Sequence, residues 1–316
     1  MIYNKLGNTN IEVSKVCFGS LTMTPFQSNL STKEGANLIN YAYDNGVNFL
    51  DTAQLYNNYQ YINKALKYIP RSKYTIATKT YAWNKQLAQG ALTEALRELN
   101  TDYIDIFLLH EQESELTIQG HYEALEYLIK AKEKGFIRAV GISTHRVSGI
   151  IGANKYPEIE IVHPILNKKG LGIIDGNIDD MVKSLKKSKR LGKGIYSMKP
   201  LGGGHLINDL EESFNFLRNL DFIDSIAVGM QSKAEIDCNI NLINTGKHPE
   251  HLKNKLKNKK RALKIEDYCI ACGNCVNRCQ QKALSIKNNK VEVDYSKCIL
   301  CGYCASVCPD FYIKVV

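Results

Sequence analysis

The 316-residue sequence lacks any apolar stretch that approaches the roughly eighteen residues a membrane helix requires. Its longest apolar runs, such as IDIFLL at 104–109, have the length of a buried strand. The opening residues MIYNKLGNTN lack both the charged head and the apolar core of a secretory signal peptide. We therefore expect no membrane span and a cytoplasmic protein.

Cysteine is nearly absent from the first 268 residues, where only Cys17 and Cys238 occur, whereas eight cysteines follow. Disulfides of a small secreted domain are one explanation for such a cluster, but the missing export signal and the motif spacing oppose it. The two isolated cysteines are expected to be small, buried apolar residues.

The formal net charge is +9, and part of the excess lies in KHPEHLKNKLKNKKRALK at 247–264. Nucleic-acid sites combine basic residues with aromatic ones, and this stretch contains no aromatic residue. A solvated basic linker or helix over 246–264, or a docking face for an acidic protein, is the better interpretation. We expect no nucleic-acid partner.

Residues 1–245 alternate short apolar runs with helical patterns. IYNKLGNTNIEVSKV predicts a β-hairpin that turns at residues 7–10, and Ser31-Thr32-Lys33-Glu34 has the form of a capping box. Apolar strands that alternate with helices indicate a parallel sheet covered by helices. Eight such runs occur, namely VCFGSL, VNFLDTA, YTIATKT, IDIFLLH, AVGIST, IEIVHPI, GIYSMKP and SIAVGM.

The number and spacing of these units predict an α/β fold of the (β/α)8 TIM-barrel type, because eight strand–helix units in about 245 residues match its usual size. An open doubly wound sheet is the alternative, and it would place Gly-x-Gly-x-x-Gly after its first strand. The sequence has no such motif there, and LGGG at 201–204 comes too late to serve as one.

Four polar residues follow the predicted strands of this barrel. Asp51, Lys79 and His110 end the second, third and fourth runs, and Tyr56 comes shortly after Asp51. Barrel enzymes place their chemistry where strands end, so these side chains are expected to meet. A lysine charge could lower the pKa of the phenol, which would then donate a proton to a carbonyl oxygen oriented by the histidine. Singly, each residue also has an ordinary structural explanation.

The blocks KLGNTNIEVSKVCFG, GVNFLDTAQLY, ATKT, TDYIDIFLLH, IRAVGIST, MKPLGGG and AVGMQSKAEIDCN resemble successive blocks of the aldo-keto reductase family. The resemblance covers roughly residues 1–245. It implies a barrel that transfers hydride between a nicotinamide cofactor and an aldehyde or ketone. The family's catalytic tetrad falls on Asp51, Tyr56, Lys79 and His110.

The same resemblance implies nucleotide contacts. Glu235 stands where the family often has a basic residue for the 2′-phosphate of NADP, and neighbouring serine and lysine side chains could compensate in part. Both NADP(H) and NAD(H) therefore remain candidates. The cofactor-binding residues implied in this way are Ser143, Asn167, Met198, Ser232, Lys233 and Asn239.

A repeated cysteine motif occupies the tail. Paired C-x2-C also occurs in zinc sites, but zinc does not require third and fourth cysteines at this spacing in two copies. Three thiolates two residues apart suit three corners of a [4Fe-4S] cubane, while the fourth reaches a second cluster. The motif C-x2-C-x2-C-x3-C comprises Cys269, Cys272, Cys275 and Cys279, and 29 residues later Cys298, Cys301, Cys304 and Cys308.

Residues 265–316 resemble a two-cluster bacterial-type ferredoxin, which implies a small α+β domain with two [4Fe-4S] clusters. Gln280 stands where the first motif commonly has proline, a change expected to affect the local backbone only. Because about fifty residues bury little apolar surface, the iron-free tail is expected to be disordered. The implied ligand sets are Cys269, Cys272, Cys275 and Cys308 for one cluster, and Cys298, Cys301, Cys304 and Cys279 for the other.

Together these features predict an NAD(P)H-dependent oxidoreductase that interconverts a small carbonyl and an alcohol, with a C-terminal module for electron transfer. A cluster passes single electrons whereas nicotinamide takes a hydride, so a flavin is kept as a further cofactor candidate although no flavin motif is present. The clusters could instead stabilise the structure or serve an electron-transfer protein. The alternative function is an iron–sulfur carrier or scaffold whose barrel performs no hydride chemistry.

Overall fold

The computed structural model describes residues 1–257 and 261–316, without the side chains of 253–255 and 257. It opens with the predicted hairpin, in which β1 (Tyr3–Lys5) pairs antiparallel with β2 (Glu12–Ser14). Gly7 in the turn has φ +56°, and a Cβ there would lie 2.2 Å from the backbone nitrogen of Gly194. Only glycine permits this close approach, so the hairpin turn packs directly against a barrel strand.

Eight parallel strands then form a closed barrel, which confirms the predicted TIM barrel and excludes the open sheet. Each predicted apolar run coincides with one of them, although β7 begins two residues before its run AVGIST, and the last strand pairs with the first. The strands are β3 (Val16–Gly19), β4 (Phe49–Asp51), β5 (Thr75–Thr80), β6 (Ile104–Leu109), β7 (Ile137–Thr144), β8 (Ile161–Pro164), β9 (Gly194–Met198) and β10 (Ser225–Gly229).

Strand β6 shows why the runs are apolar on both faces. Ile106 and Leu108 belong to the cluster that fills the barrel interior, whereas Phe107 and Leu109 belong to the larger cluster between strands and helices. All four are fully buried. Since successive side chains of a strand point to opposite faces, a strand buried on both must be apolar at every position.

Helices on the outside of the barrel bury their apolar faces against these strands. The capping box of α1 is present, since the Ser31 side chain accepts from the Glu34 amide and Glu34 accepts from the Ser31 amide. The helices are α1 (Thr32–Asp44), α2 (Tyr59–Ala65), α3 (Lys85–Leu99), α4 (Glu115–Gly120), α5 (Tyr122–Glu133), α6 (Val147–Ala153), α7 (Ile178–Arg190), α8 (Leu210–Arg218), α9 (Lys233–Thr245), α10 (Glu250–Lys257) and α11 (Asn274–Arg278).

In the part of the chain that the structure describes, none of these helices is long and apolar enough to cross a bilayer. The predicted linker 246–264 begins where α9 ends, at Gly246 with φ +78°, and it contains α10. Residues 258–260 of that linker lie outside the described residues.

The tail is built from two small antiparallel strand pairs. They consist of β11 (Leu263–Ile265) with β14 (Ile313–Val315), and of β12 (Leu284–Lys287) with β13 (Lys290–Val293). The first strand of one half thus pairs with the last strand of the other, and the two inner strands pair together. Each half therefore contributes one strand to each pair.

The 29-residue repeat is also present in the backbone. Three positions of the first half have left-handed φ values, at Ala271, Gly273 and Lys282, and their counterparts Leu300, Gly302 and Phe311 share that conformation. The fourth cysteine of each motif accepts a hydrogen bond from the amide four residues on, at 3.3 Å for Cys279 and 3.2 Å for Cys308. The two motifs therefore share the same turn conformation, although the first has Gln280 where the second has Pro309.

Candidate active site

A cavity of about 1390 Å³ opens at the C-terminal ends of the barrel strands. It exceeds the roughly 300–1,000 Å³ of ordinary small-molecule sites, so a large cofactor and a substrate could share it. Asp51, Tyr56 and His110 line it, and the tail supplies part of its wall. The tail residues in the wall are Glu266, Tyr268, Ile299, Leu300, Asp310, Phe311, Tyr312, Lys314, Val315 and Val316.

Asp51 and Lys79 form a buried ion pair at the base of this cavity. The Lys79 ammonium donates to Asp51 Oδ2 at 2.7 Å and to the carbonyl of Thr52 at 2.7 Å. Their side chains are 8% and 1% exposed, so the pair is shielded from solvent. Two neighbouring strands place these groups side by side, because β4 and β5 end at the same edge of the barrel.

Two further residues lie against the second oxygen of Asp51, and the sequence analysis did not identify either. Tyr196 donates its hydroxyl to Asp51 Oδ1 at 3.0 Å. His163 donates from Nδ1 to the Tyr196 carbonyl at 2.6 Å, so its Nε2, 3.6 Å from Asp51 Oδ1, makes no hydrogen bond to the carboxylate while the ring is neutral. The two rings stack with centroids 3.9 Å apart. Burial lowers the pKa of His163 to about 4, although the Asp51 charge acts in the opposite direction. His163 is therefore neutral at physiological pH.

Tyr56 lies beside this ion pair, with the Lys79 nitrogen 5.1 Å from its ring centroid. The expectation that Lys79 would lower the pKa of this phenol is wrong for the structure. Burial, with the charges of Asp51 and Glu111, raises the Tyr56 pKa well above 10. The reason is that Asp51 neutralises Lys79, so the dominant effect on the phenol is loss of water. Tyr56 is consequently protonated.

His110 completes the group. Its ring lies 6.1 Å from that of Tyr56 and stacks on Tyr81 at 4.4 Å. Burial, followed by the charge of Lys79, lowers the His110 pKa well below 6.5, so the imidazole is neutral. Its buried Nδ1 has no hydrogen-bond partner within the described residues. Such an atom is costly unless a ligand or water satisfies it.

The residues predicted to bind the cofactor are divided between the cavity and its surroundings. Met198 and Asn239 line the cavity. Ser143 Oγ accepts from the Glu111 amide at 2.9 Å, and Asn167 bonds to Leu171 in a tight turn.

Two other predicted contacts belong to helix α9. Ser232 is its N-cap and accepts from the Glu235 amide at 3.3 Å. The Lys233 ammonium lies 4.6 Å from the Tyr41 ring centroid. Neither residue, nor Ser143 or Asn167, is among the cavity-lining residues, so their role as nucleotide contacts stays a prediction.

The tail packs on the loop after β9. A Cβ on Gly204 would lie 2.2 Å from the carbonyl oxygen of Val315, and one on Gly203 would lie 2.8 Å from the Lys314 side chain. His205 Nε2 is 3.0 Å from the carbonyl oxygen of Ile313. The LGGG stretch thus serves as the docking site for β14, a role that only the tertiary arrangement reveals.

The cysteines group across the two motifs. The neighbouring charges that raise the Cys275 pKa, after burial, are Cys269 of its own motif and Cys308 of the other. Burial raises the Cys304 pKa to about 12, and the charges of Cys301 and of Cys275 act in the same direction. Thiols from the two halves therefore influence one another, although no three His, Cys, Asp or Glu side chains of the described residues are arranged to hold a metal ion.

The structure is a (β/α)8 barrel joined to a cysteine-rich domain. A buried Asp–Lys pair, a neutral tyrosine and a neutral histidine lie in the barrel mouth, as in a barrel enzyme. The aldo/keto reductase family model matches residues 15–222. The chain therefore belongs to the aldo/keto reductase family. A 4Fe-4S dicluster domain model matches residues 261–309, so an iron–sulfur domain follows the barrel.

Three curated relatives are similar over about three fifths of this chain. An aldo-keto reductase of Glycine max is 29% identical over 63% of this chain and 59% of its own length. L-galactose dehydrogenase of Arabidopsis thaliana is 28% identical over 64% and 66%, and methylglyoxal reductase DkgA of Yersinia pestis 27% over 58% and 67%. The match thus spans about three fifths to two thirds of these relatives.

Solved structures share the fold. An aldo-keto reductase from Pseudomonas aeruginosa has a TM-score of 0.68 at 22% identity, over 78% of this chain and 96% of that one. The holo form of an aldo-keto reductase from Bacillus halodurans has a TM-score of 0.65 at 22% identity, over 81% and 95%.

Proposed function

We propose that this protein interconverts a small carbonyl compound and an alcohol by nicotinamide-dependent hydride transfer, with Tyr56 as the proton donor. The observation that carries the proposal is the convergence of the Asp51–Lys79 ion pair, Tyr56 and His110 on one cavity. The cavity volume and the unpaired Nδ1 of His110 are consistent with a bound carbonyl compound and its cofactor.

When bound, the nicotinamide would supply a hydride to the carbonyl carbon. The chain's own residues handle the oxygen. Tyr56, kept protonated by burial, gives its hydroxyl proton to the oxygen as negative charge develops there, and the alcohol is formed. The Lys79 ammonium lies 5.1 Å from the Tyr56 ring centroid, but its pairing with Asp51 limits how far it offsets the negative charge left on the phenol.

His110 positions the same oxygen. A neutral imidazole donates one hydrogen bond, and its stacking on Tyr81 fixes the plane of the ring. Tyr81 is itself anchored, because its hydroxyl donates to Glu111 at 2.8 Å. Glu235 and Arg261 both line the cavity, and the Glu235 charge acts on the pKa of Arg261, so NAD(H) and NADP(H) both stay candidates for the nucleotide.

Replacing Tyr56 tests this function. Tyr56→Phe removes the proton donor and should reduce kcat for NAD(P)H-dependent methylglyoxal reduction by about 10²–10⁴-fold. Tyr68→Phe is a matched control, since Tyr68 is 60% exposed and contacts Asp44 outside the cavity. A Tyr56→Phe protein as active as the parent would refute the assignment.

For the tail, we propose that Cys269, Cys272, Cys275 and Cys308 hold one [4Fe-4S] cluster, and that Cys298, Cys301, Cys304 and Cys279 hold the other. The neighbourhood of Cys275 with Cys308 supports this crossed ligation. Cys275→Ser and Cys308→Ser should then abolish the same cluster and leave about four of about eight irons per chain. Cys238→Ser in the barrel should leave the iron content unchanged. Electron paramagnetic resonance would show whether the surviving signal is the same in both tail variants.

We further propose that the tail residues between the bound clusters and the cavity would carry single electrons. Two such electrons, one for each cluster, would balance one hydride if a flavin or a similar group in the cavity took the pair and released the electrons one at a time. Tyr312 donates its amide to Cys308 Sγ, its ring contacts Tyr268 at 4.8 Å, and both tyrosines line the cavity. Anaerobic stopped-flow mixing with NADH should therefore change the visible absorbance of the iron–sulfur clusters. An unchanged absorbance, together with full carbonyl reduction, would favour clusters that act only in structure or with another protein.

A further inference from the structure

Two lysine side chains, one from each part of the chain, meet in the cavity wall. Lys199 follows β9 of the barrel, Lys314 lies in β14 of the tail, and both line the cavity. Their ammonium nitrogens lie 5.4 Å and 3.7 Å from the centroid of the same ring, that of Phe311. The barrel and the iron–sulfur domain thus bring two positive charges to one place.

Within the described residues, neither ammonium group has an ion-pair partner. Across residues 1–257 and 261–316, no carboxylate lies within 4.0 Å of either ammonium group. Lys199 Nζ lies 3.0 Å from His145 Nε2, and Lys314 donates to the carbonyl of Phe311. Burying two ammonium groups without a counter-charge is unfavourable, so an anion in this position would stabilise the site.

Burial also affects both titrations. It lowers the pKa of Lys199 to about 8 and that of Lys314 well below 10.5. The more distant carboxylates Glu111 and Glu266 raise both values, but burial outweighs them.

The local backbone holds both lysines in place. Lys199 has φ +56°, a conformation that favours glycine or asparagine, and the Gly202 amide donates to its carbonyl at 2.9 Å. Strained positions of this kind concentrate at functional sites. Lys314 is fixed by the pairing of β14 with β11.

We propose that Lys199 and Lys314 form an anion subsite that binds the carboxylate or phosphate of a negatively charged carbonyl substrate. The assignment of the anion to the substrate rests on the proposed function. It is favoured over a cofactor phosphate because Lys199 lies close enough to influence both His110 and Lys79 electrostatically. A carbonyl group at Tyr56 and an oxyanion at the lysine pair would belong to one small molecule.

The experiment compares two aldehydes of similar length, succinic semialdehyde with a carboxylate and pentanal without one. Lys199→Met and Lys314→Met remove one charge each, and Lys199→Arg and Lys314→Arg keep it. Lys155→Met is the control, because Lys155 pairs with Glu115 on the surface. Calorimetric binding of succinate to the intact iron-loaded protein gives a readout that needs no turnover, and calorimetric titration with NADH and NADPH measures cofactor affinity.

We expect each Lys→Met variant to weaken succinate binding and to raise KM for succinic semialdehyde by about tenfold or more. KM for pentanal and the Kd values of NADH and NADPH should stay unchanged, and the arginine variants should recover most of the affinity. Visible absorbance of the clusters would verify that both Lys→Met variants retain a folded tail, since both lysines lie over the ring of Phe311.

Three results would overturn the proposal. The first is that the parent does not bind succinate. The second is that both Lys→Met variants bind succinate as the parent does. The third is that they bind NADH or NADPH more weakly while succinate binding stays intact, which would assign the lysines to a cofactor phosphate. Lysine-dependent succinate binding in a protein without NAD(P)H-dependent reduction would support the subsite while refuting the proposed function. Loss of activity in Tyr56→Phe, together with unchanged succinate binding in both Lys→Met variants, would support the proposed function and refute the anion subsite.

Discussion

The barrel and the tail are stabilised in different ways. Strands β5 and β6 of the barrel are buried at every position, and the interior is filled by the chain's own side chains. The tail has strands of three or four residues, and large apolar side chains such as Ile270 and Ile299 are 72% and 64% exposed. The barrel therefore has a large apolar core, whereas the tail has a small one, and we expect the tail to depend on the clusters that its cysteines would bind.

The tail also gains apolar packing where it contacts the barrel. Phe311 is 1% exposed because it lies between the tail and the barrel loop that contains Gly203. A domain with a weak core thus gains stability by covering the barrel mouth, and the barrel gains a wall for its cavity. The following changes test this division of labour, from the largest expected effect to the smallest.

Removing the iron should have the largest effect, because the tail would lose the ligands that organise its two motifs. Anaerobic chelation is expected to make residues 261–316 sensitive to trypsin and to leave the barrel resistant, since the barrel core contains no cysteine ligand. Mass spectrometry of the fragments measures this. A tail that stays protected without iron would show that packing on the barrel is sufficient.

In the barrel, Lys79→Met should lower the free energy of unfolding by about 3–5 kcal/mol, because it leaves the Asp51 carboxylate buried without its partner. Urea unfolding followed by circular dichroism measures the change. The double variant Asp51→Asn/Lys79→Met removes both charges and should recover part of the loss. Equal losses in the single and double variants would contradict a charge-based explanation.

The pH dependence of barrel stability should report His163. Its pKa is about 4 in the folded state against about 6.5 for an exposed histidine, so protonation favours the unfolded chain. This contribution is complete above pH 6.5 and declines as the pH falls toward 4, amounting to a loss of about 2 kcal/mol at pH 5.

His163→Gln should therefore lose less stability than the parent between pH 7 and pH 5, as measured by urea unfolding at both values. Parallel losses in the two proteins would mean that other buried histidines, such as His110 and His145, dominate the acid response.

The smallest effects should come from two glycines. Gly204→Ala places a Cβ against the Val315 carbonyl at a position with φ +91°, so it should loosen β14 at a cost of about 1–2 kcal/mol. Gly90→Ala in α3 meets no atom within 4 Å and should stabilise the barrel by about 0.5–1 kcal/mol. Hydrogen exchange at residues 311–316 should increase in the first variant and stay unchanged in the second.

Local patterns predicted most of the barrel. The hairpin, the capping box of Ser31 and all eight strands follow from turn residues and apolar periodicity, which act over a few residues. The site was predicted in part, because Asp51, Lys79 and His110 lie within one residue of a strand end and parallel strands end at one edge. Tyr196 and His163 were missed, since their role depends on which interior atoms they reach and not on a local pattern.

The direction of the Tyr56 pKa was also beyond the sequence. Lys79 stands close enough to lower it, but the neutralising contact with Asp51 and the loss of water around the phenol exist only in the folded protein.

Strand periodicity and cysteine spacing are properties of short segments, so they were enough to predict two folding units and the residue types available for chemistry. The closure of the barrel mouth by β14, and the approach of Lys314 to Lys199 there, follow only from the packing of the folded chain. The reason is physical: the burial and charge environment of a side chain depend on neighbours that are distant in sequence, as Lys199 and Lys314 are around the ring of Phe311.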